Sequence, residues 1–228
     1  VPGVLTELPE ARALVLEDLG DRCLRDTVLA EPGQAERLYR KTLDQVVRLH
    51  TAATRLAQSR RMAMEDAFDR RFYDWERNSF LNQVVRARHG VSEVPSAALM
   101  AEYGEVAGRL LGSHAPVIVH RDLQSTNVML KRARLSLIDF QGMRYGAAAY
   151  DLASLLCDPY VSLPPDMRER LLARYAADIG GEAGAEALAE GEVFEVDRDV
   201  DRELRAARPR AGGPIVDAAV VEAAVGRQ

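Results

Sequence analysis

The spacing of apolar residues predicts one short strand and three helices in the first half of the chain. A run of four apolar residues starts at Ala13 and stops at an acidic, glycine-bearing turn, which predicts a buried strand over residues 12–17. Helical spacing then recurs over 34–58, and again over 64–89, where aromatic residues are frequent. Ser96 is a favourable helix N-cap and predicts a third helix that ends near residue 111.

Short β-type runs characterise the next part of the chain. They cover residues 116–119, 128–130 and 135–138. The polar turn at 131–134 predicts that the last two runs pair as a hairpin. Helical spacing returns at 149–157 and at 166–179. Beyond residue 180 the charged residues lack periodicity and no aromatic residue follows Phe194, which predicts a weakly structured tail over 181–228.

Composition narrows the class of protein. With 228 residues, 47% of them hydrophobic and 29% charged, the chain can form one large domain with a sizeable core. No apolar run approaches 18 residues, so no transmembrane helix is predicted. The net charge of −5 argues against a nucleic-acid or membrane partner. Cys23 and Cys157 are far apart and form no CxxC pair, which favours the reducing cytoplasm.

The residues that point to chemistry lie between 117 and 156. His120-Arg121-Asp122 is followed by Asn127, and then by Asp139, which comes seventeen positions after Asp122. The first part matches the H-R-D-x-x-x-x-N pattern of a kinase catalytic loop. Phosphoryl transfer to a hydroxyl needs one carboxylate that accepts the proton, and a second carboxylate and an amide oxygen that hold Mg²⁺. Asp122 fits the first role, and Asn127 and Asp139 fit the second.

These motifs resemble those of the aminoglycoside phosphotransferase and choline kinase superfamily, the small-molecule branch of the protein-kinase-like fold. The segments LVLEDLGD, DWERNSF, HRDLQSTN and LIDFQ are most similar to bacterial sugar kinases that phosphorylate N-acetylmuramate or N-acetylglucosamine at the anomeric hydroxyl. The resemblance covers about residues 1–180. Protein kinases proper usually carry Lys where this chain has Gln124, and Gly where it has Gln141.

The resemblance implies a nucleotide site. Glu17 and Leu19 would belong to the hinge between two lobes and pair with adenine through their backbone groups. The alternative for residues 17–18 is a plain acidic turn. Met129 and Ile138 would line the adenine pocket from below. The implied cofactors are ATP and Mg²⁺.

The resemblance also implies a substrate side. Trp75 and Glu76 would lie on the helical segment that faces the substrate, and Arg121 would be either a substrate residue or a structural one. Core packing is the alternative for the aromatic residues of 68–84. His120 and Asp151 would support the catalytic loop without acting in the chemistry. The other histidines have no metal-ligand spacing and are expected on the surface: His50, His89 and His114.

The expected fold class is α+β and protein-kinase-like, with a mostly helical C-terminal lobe, a short catalytic β-hairpin and only the last strand or strands of the N-terminal lobe. Residues 1–21 would be the end of the small lobe and the hinge, 22–180 the large lobe and 181–228 the tail. Neither Lys41 nor Lys131 is placed as the phosphate-binding lysine of a small lobe, and the chain begins with Val, so we expect a fragment with little activity alone.

The expected function is ATP-dependent phosphorylation of a hydroxyl on a small molecule, a sugar or an amino sugar. One alternative is an aminoglycoside antibiotic phosphotransferase, and another is a catalytically dead, kinase-like interaction module. The presence of all three of Asp122, Asn127 and Asp139 favours an enzyme. The sequence leaves the oligomeric state open.

Overall fold

A computed structural model describes residues 1–87, 97–112 and 116–180. These residues form a small β-hairpin followed by a mostly helical lobe. The helices are α1 (Leu24–Ala30), α2 (Ala35–Arg48), α3 (Thr54–Arg60), α4 (Arg70–Phe80), α5 (Ala97–Leu111), α6 (Ala148–Leu156) and α7 (Pro165–Ile179). The strands are β1 (Val4–Leu8), β2 (Ala13–Leu16), β3 (Val117–Val119), β4 (Val128–Lys131), β5 (Arg134–Leu137) and β6 (Arg144–Gly146).

The N-terminal hairpin pairs β1 with β2 in antiparallel register, with Leu8 opposite Ala13. The strand predicted over 12–17 is therefore present, but the prediction that it is buried is wrong. Leu14 is 58% exposed and Leu16 is 45% exposed. A strand buries its side chains only against a second layer, and a two-stranded hairpin does not provide one.

The helix predicted over 34–58 is present and slightly longer than expected. α2 and α3 are joined by a π-helical segment, Leu49–Ala53, so the helical backbone is continuous from residue 35 to residue 60. It ends where Arg61 adopts a left-handed φ of 48°. Leu43 and Val46 lie on the buried face of α2.

The helix predicted over 64–89 begins later than expected. The carboxylate of Asp69 accepts a hydrogen bond from the backbone N–H of Phe72 at 2.8 Å, which makes Asp69 the N-cap of α4. The preceding residues are extended because they pair with β6, where the N–H of Phe68 donates to the carbonyl of Tyr145 at 3.2 Å. α4 continues as a π-helical segment, Leu81–Arg86.

Two predictions fall on residues that the structure does not describe. Ser96, the predicted cap of the third helix, precedes the first described residue of α5. The predicted tail over 181–228 also lies outside the described residues.

The short strands of the second half form two separate ladders. β4 and β5 form the predicted hairpin, with Val128 opposite Leu137 and Lys131 opposite Arg134. β3 pairs antiparallel with β6, a strand that the sequence pattern did not predict.

The core of the lobe is built from α1, α2, β3, β4, α6 and α7. Its most deeply buried side chains include Tyr39, Leu43, Leu123, Leu152, Leu155, Leu171 and Tyr175. Every residue of α6 except Ala153 is buried, so this helix runs through the centre of the lobe. Within the described residues, no helix is both long and apolar enough to span a membrane.

Candidate functional site

The loop that joins β3 to β4 carries the kinase-like motif and is anchored from below by α6. Asp151, which is fully buried, accepts a hydrogen bond from the backbone N–H of His120 at 2.7 Å and from that of Arg121 at 3.0 Å. Arg121 has a left-handed φ of 77°, which is unfavourable for a residue with a side chain. The two bonds to Asp151 hold the backbone in this strained turn, directly before Asp122.

A second buried contact fixes Asp151 in turn. His50 is only 2% exposed, and its Nε2 lies 3.0 Å from Oδ2 of Asp151. Its Nδ1 lies 2.6 Å from the hydroxyl of Tyr175 on α7. The prediction that His50 is a surface residue is therefore wrong. Its position four residues after the buried Val46 was the signal for burial, since both lie on one helical face.

Of the three remaining histidines, the structure describes His120. The sequence predicts that His120 is buried and hydrogen-bonded, and it is indeed buried, at 1% exposed. The expected hydrogen bonds are not seen, because neither of its ring nitrogens has a partner among the described residues. His89 and His114 lie outside the described residues.

Asp158 is a loop-anchoring residue that the sequence reasoning missed. Its Oδ2 accepts a hydrogen bond from the N–H of Ser125 at 2.6 Å, and its Oδ1 accepts one from the N–H of Tyr160 at 2.8 Å. It is 5% exposed and lies just beyond the end of α6. Asp151 of α6 thus holds the start of the motif loop, and Asp158 holds its later part at Ser125.

Asp122 lies partly buried within this loop, and its neighbours define its orientation. The side-chain amide of Gln124 donates to Oδ1 of Asp122 at 2.6 Å. The side-chain N–H of Asn127 donates to the backbone carbonyl of Asp122 at 2.9 Å. Because its amide nitrogen is used in this way, Asn127 has its amide oxygen available as an acceptor.

The β4–β5 hairpin brings Asp139 to the same end of the structure as Asn127. The N–H of Ile138 donates to the carbonyl of Asn127 at 3.0 Å, so the hairpin pairing extends one residue past Val128 and Leu137. Asp139 follows directly, with a left-handed φ of 63°, and accepts a hydrogen bond from Gln141 at 2.6 Å. The structure therefore places Asp139 beside the motif loop, as the sequence predicts.

These two residues fit Mg²⁺ by their chemistry. A carboxylate and an amide oxygen are hard oxygen ligands of the kind that Mg²⁺ prefers, and Mg²⁺ keeps several waters or phosphate oxygens besides. No group of three His, Cys, Asp or Glu side chains with metal-site geometry occurs in the part of the chain that the structure describes. Asn127 and Asp139 are thus suited to a cation that is shared with a phosphate ligand.

The segment after β2 lies against the back of the hairpin. Lys131 donates to the backbone carbonyl of Asp18 at 2.6 Å, and the N–H of Glu17 donates to the carbonyl of Gly3 at 2.7 Å. The carbonyl of Glu17 and the N–H of Leu19 have no hydrogen-bond partner among the described residues. A free acceptor and a free donor are therefore separated by one residue.

Met129 and Ile138 lie on the hairpin that this segment approaches. Met129 forms a β-bridge with Cys23, and the N–H of Leu130 donates to the carbonyl of Arg22 at 2.8 Å. Met129 and Ile138 are both partly buried. The predicted pocket residues thus lie on the hairpin that contacts residues 22–23, shortly after Leu19.

On the other side of the motif loop, Glu76 of α4 is 5% exposed and accepts a hydrogen bond from the hydroxyl of Tyr150 at 2.8 Å. Burial raises the pKa of Glu76 to about 8, although the Tyr150 bond and the charges of Arg121 and Arg144 act in the opposite direction. Trp75, its neighbour, is 44% exposed. The sequence predicts that both residues face the substrate, but only Glu76 is buried, where it is hydrogen-bonded to α6.

The lobe and its loop define a protein-kinase-like fold with a phosphotransferase motif. The chain belongs to the APH phosphotransferase enzyme family, which it matches over residues 1–213. This confirms the resemblance seen in the sequence. A crystal structure of choline kinase from Cryptosporidium parvum Iowa II has the same fold, with a TM-score of 0.54 at 15% identity, covering 85% of this chain and 63% of that one.

Two curated relatives are similar over most of this chain. The N-acetylmuramate/N-acetylglucosamine kinase of Pseudomonas aeruginosa is 29% identical over 182 residues, which cover 77% of this chain and 49% of the relative. The protein of the same name from Neisseria meningitidis serogroup B is 29% identical over 178 residues, covering 77% of this chain and 51% of the relative. The chain thus spans about half the length of the curated relatives it matches.

Proposed function

We propose that this chain carries the catalytic lobe of a kinase that transfers the γ-phosphoryl group of ATP to a hydroxyl of a small molecule. The observation that carries the proposal is the gathering of Asp122, Asn127 and Asp139 at one end of the β4–β5 hairpin, on a loop anchored by Asp151. Residues 22–180 are assigned to the large lobe, and residues 1–21 to the end of the small lobe and the hinge.

In this proposal Asp122 orients the acceptor hydroxyl and takes its proton. The hydroxyl oxygen attacks the γ-phosphorus, the new O–P bond forms, and the bond from the γ-phosphorus to the bridging oxygen breaks to release ADP. The proton passes from Asp122 to solvent. The hydrogen bond from Gln124 to Oδ1 of Asp122 holds the carboxylate in one orientation.

The nucleotide site is assigned to the segment after β2 and to the hairpin. Adenine presents an amino donor and a ring-nitrogen acceptor on one edge, which suits the free carbonyl of Glu17 and the free N–H of Leu19. Met129 and Ile138 supply apolar surface below the base. Asn127 and Asp139 would hold Mg²⁺, which would supply positive charge against the phosphates.

The acceptor is assigned as an amino sugar. Support comes from the two relatives named N-acetylmuramate/N-acetylglucosamine kinase. Trp75 and Glu76, on the α4 side of Asp122, are assigned to the acceptor side of the site together with Arg121. Two positive side chains beside the reacting group, Arg121 and Arg144, would repel a polycationic aminoglycoside.

The experiment is a single-turnover assay with the 228-residue chain in excess over Mg²⁺-ATP. N-acetylmuramate, N-acetylglucosamine and kanamycin serve as acceptors, and sugar phosphate and ADP are both quantified. Because the chain is expected to have little activity alone, we expect slow phosphorylation of an N-acetylated amino sugar, which a single turnover detects and which is lost in the Asp122→Asn variant. Transfer to kanamycin alone would support an antibiotic phosphotransferase, and ATP binding without transfer to any acceptor would support an interaction module.

A further inference from the structure

Two arginines converge beside Asp122 on the side that faces α4. The guanidinium carbon of Arg121, the residue before Asp122, lies 5.4 Å from the ring centroid of Phe72. That of Arg144, on β6, lies 5.2 Å from the same ring and 5.6 Å from the ring of Phe68. One aromatic side chain of α4 thus positions both cations.

Gly142 lies where the two side chains meet. A Cβ at position 142 would lie 3.3 Å from a terminal guanidinium nitrogen of Arg121, closer than ordinary contact. Nε of Arg144 donates to the carbonyl of Gly142 at 3.3 Å. The backbone of residue 142 therefore packs between the arginines and limits the positions that their guanidinium groups can take.

Neither guanidinium is paired with a carboxylate in the part of the chain that the structure describes. No carboxylate of the described residues lies within 4.0 Å of Arg121 or Arg144, whereas Arg170 pairs with both Glu36 and Asp166. The nearby carboxyl of Glu76 carries a proton at neutral pH, because burial raises its pKa to about 8. Two partly buried positive charges next to a catalytic loop are a recognition site for an anion.

The arginines lie on the acceptor side of the site. Their aromatic contacts are with α4 and the segment before it, while the proposed adenine and Mg²⁺ residues lie on the hairpin and on the chain beyond β2. In-line transfer requires the acceptor and the leaving ADP to be on opposite sides of the γ-phosphorus. An anion held by Arg121 and Arg144 therefore belongs to the acceptor and not to the nucleotide.

We propose that Arg121 and Arg144 form a subsite for a carboxylate substituent of the acceptor sugar. The proposal rests on the proposed kinase function and adds to it the charge of the preferred acceptor and the residues that select it. The planar guanidinium group donates two parallel hydrogen bonds to a carboxylate, which a neutral sugar cannot accept in the same way. The preference is therefore for an acidic sugar over its neutral analogue.

The test compares two acceptors that differ by one carboxylate-bearing group. N-acetylmuramate carries a lactyl ether on the sugar ring of N-acetylglucosamine. Binding of each to the full 228-residue chain is followed by calorimetry and by the fluorescence of Trp75, the only tryptophan, whose ring lies 6.1 Å from that of Phe72. We expect the acidic sugar to bind about 10- to 100-fold more tightly, and the difference to shrink at high salt.

Arg121→Gln and Arg144→Gln should each reduce the ratio of the two affinities at least about tenfold. Arg71→Gln is the matched control, since the Arg71 side chain is on α4 but 96% exposed, and it should keep the wild-type ratio. Circular dichroism checks that each variant folds. The subsite would be overturned if the ratio of the two sugar affinities stayed at the wild-type value in both variants. It would also be overturned if the variants lost Mg²⁺-ATP binding and kept acidic-sugar binding.

The assay of phosphoryl transfer separates this proposal from the one on which it rests. Transfer to both sugars with equal affinity for the two would overturn the carboxylate subsite and leave the kinase function standing. Failure to bind or phosphorylate either sugar would overturn both proposals.

Discussion

Replacing Glu76 with Gln should stabilise the protein at neutral and alkaline pH. Glu76 is almost fully buried, and its Oε1 accepts the hydroxyl hydrogen of Tyr150 at 2.8 Å. Gln has the same shape and can accept the same hydrogen bond with its amide oxygen, but it does not ionise. The substitution therefore removes the free-energy cost of a buried charge and keeps the contact.

The magnitude follows from the pKa of Glu76, which burial raises from 4.5 to about 8. Between these two pH values the folded state holds a proton that the unfolded state has released, so the free energy of unfolding decreases as pH rises. The decrease is about 1.4 kcal/mol per pH unit and ends above pH 8. At pH 7 the Gln variant should be more stable by roughly 3 kcal/mol, and near pH 4.5 the two proteins should be almost equal.

Urea unfolding at pH 5, 6, 7 and 8, followed by circular dichroism, measures this difference. The control is Glu102→Gln on α5, where the side chain is exposed and the substitution should change stability by less than about 0.5 kcal/mol at every pH. A stability difference between the Glu76 variant and the wild type that does not increase from pH 5 to pH 8 would refute the reasoning.

Three further substitutions test the site and its anchor. Asp122→Asn should leave nucleotide binding intact and lower the single-turnover rate by about 10²- to 10⁴-fold, and a rate within a factor of three of wild type would contradict its role as the base. Asp139→Ala should abolish the dependence of ATP affinity on Mg²⁺ in calorimetry, and an unchanged dependence would exclude it as a ligand. Asp151→Ala leaves the N–H groups of His120 and Arg121 and the ring of His50 without their acceptor, so urea unfolding should show a loss of roughly 2–5 kcal/mol. A loss below about 1 kcal/mol would show that the loop does not depend on Asp151.

The sequence by itself determined the features that depend on local spacing. About twenty residues contain the H-R-D-x-x-x-x-N pattern, the turn at 131–134 and Asp139. The position of Asp139 beside the motif loop is therefore set locally, because a hairpin pairs neighbouring segments. The helices at 34–58, 149–157 and 166–179 followed from periodicity for the same reason. Family membership also followed, since the motif is contiguous in the chain.

Only the tertiary structure decided which residues are buried and which polar groups meet. His50 and Asp151 are 101 positions apart, and Glu76 and Tyr150 are 74 apart, so no local pattern could pair them. The exposure of β2 and the late start of α4 likewise depend on what packs beside each segment. Among the described residues no second layer covers the side chains of the hairpin, and Glu65, before α4, bridges to Arg144 of β6. A side chain's burial is a property of its distant neighbours, and those are set by how the elements pack.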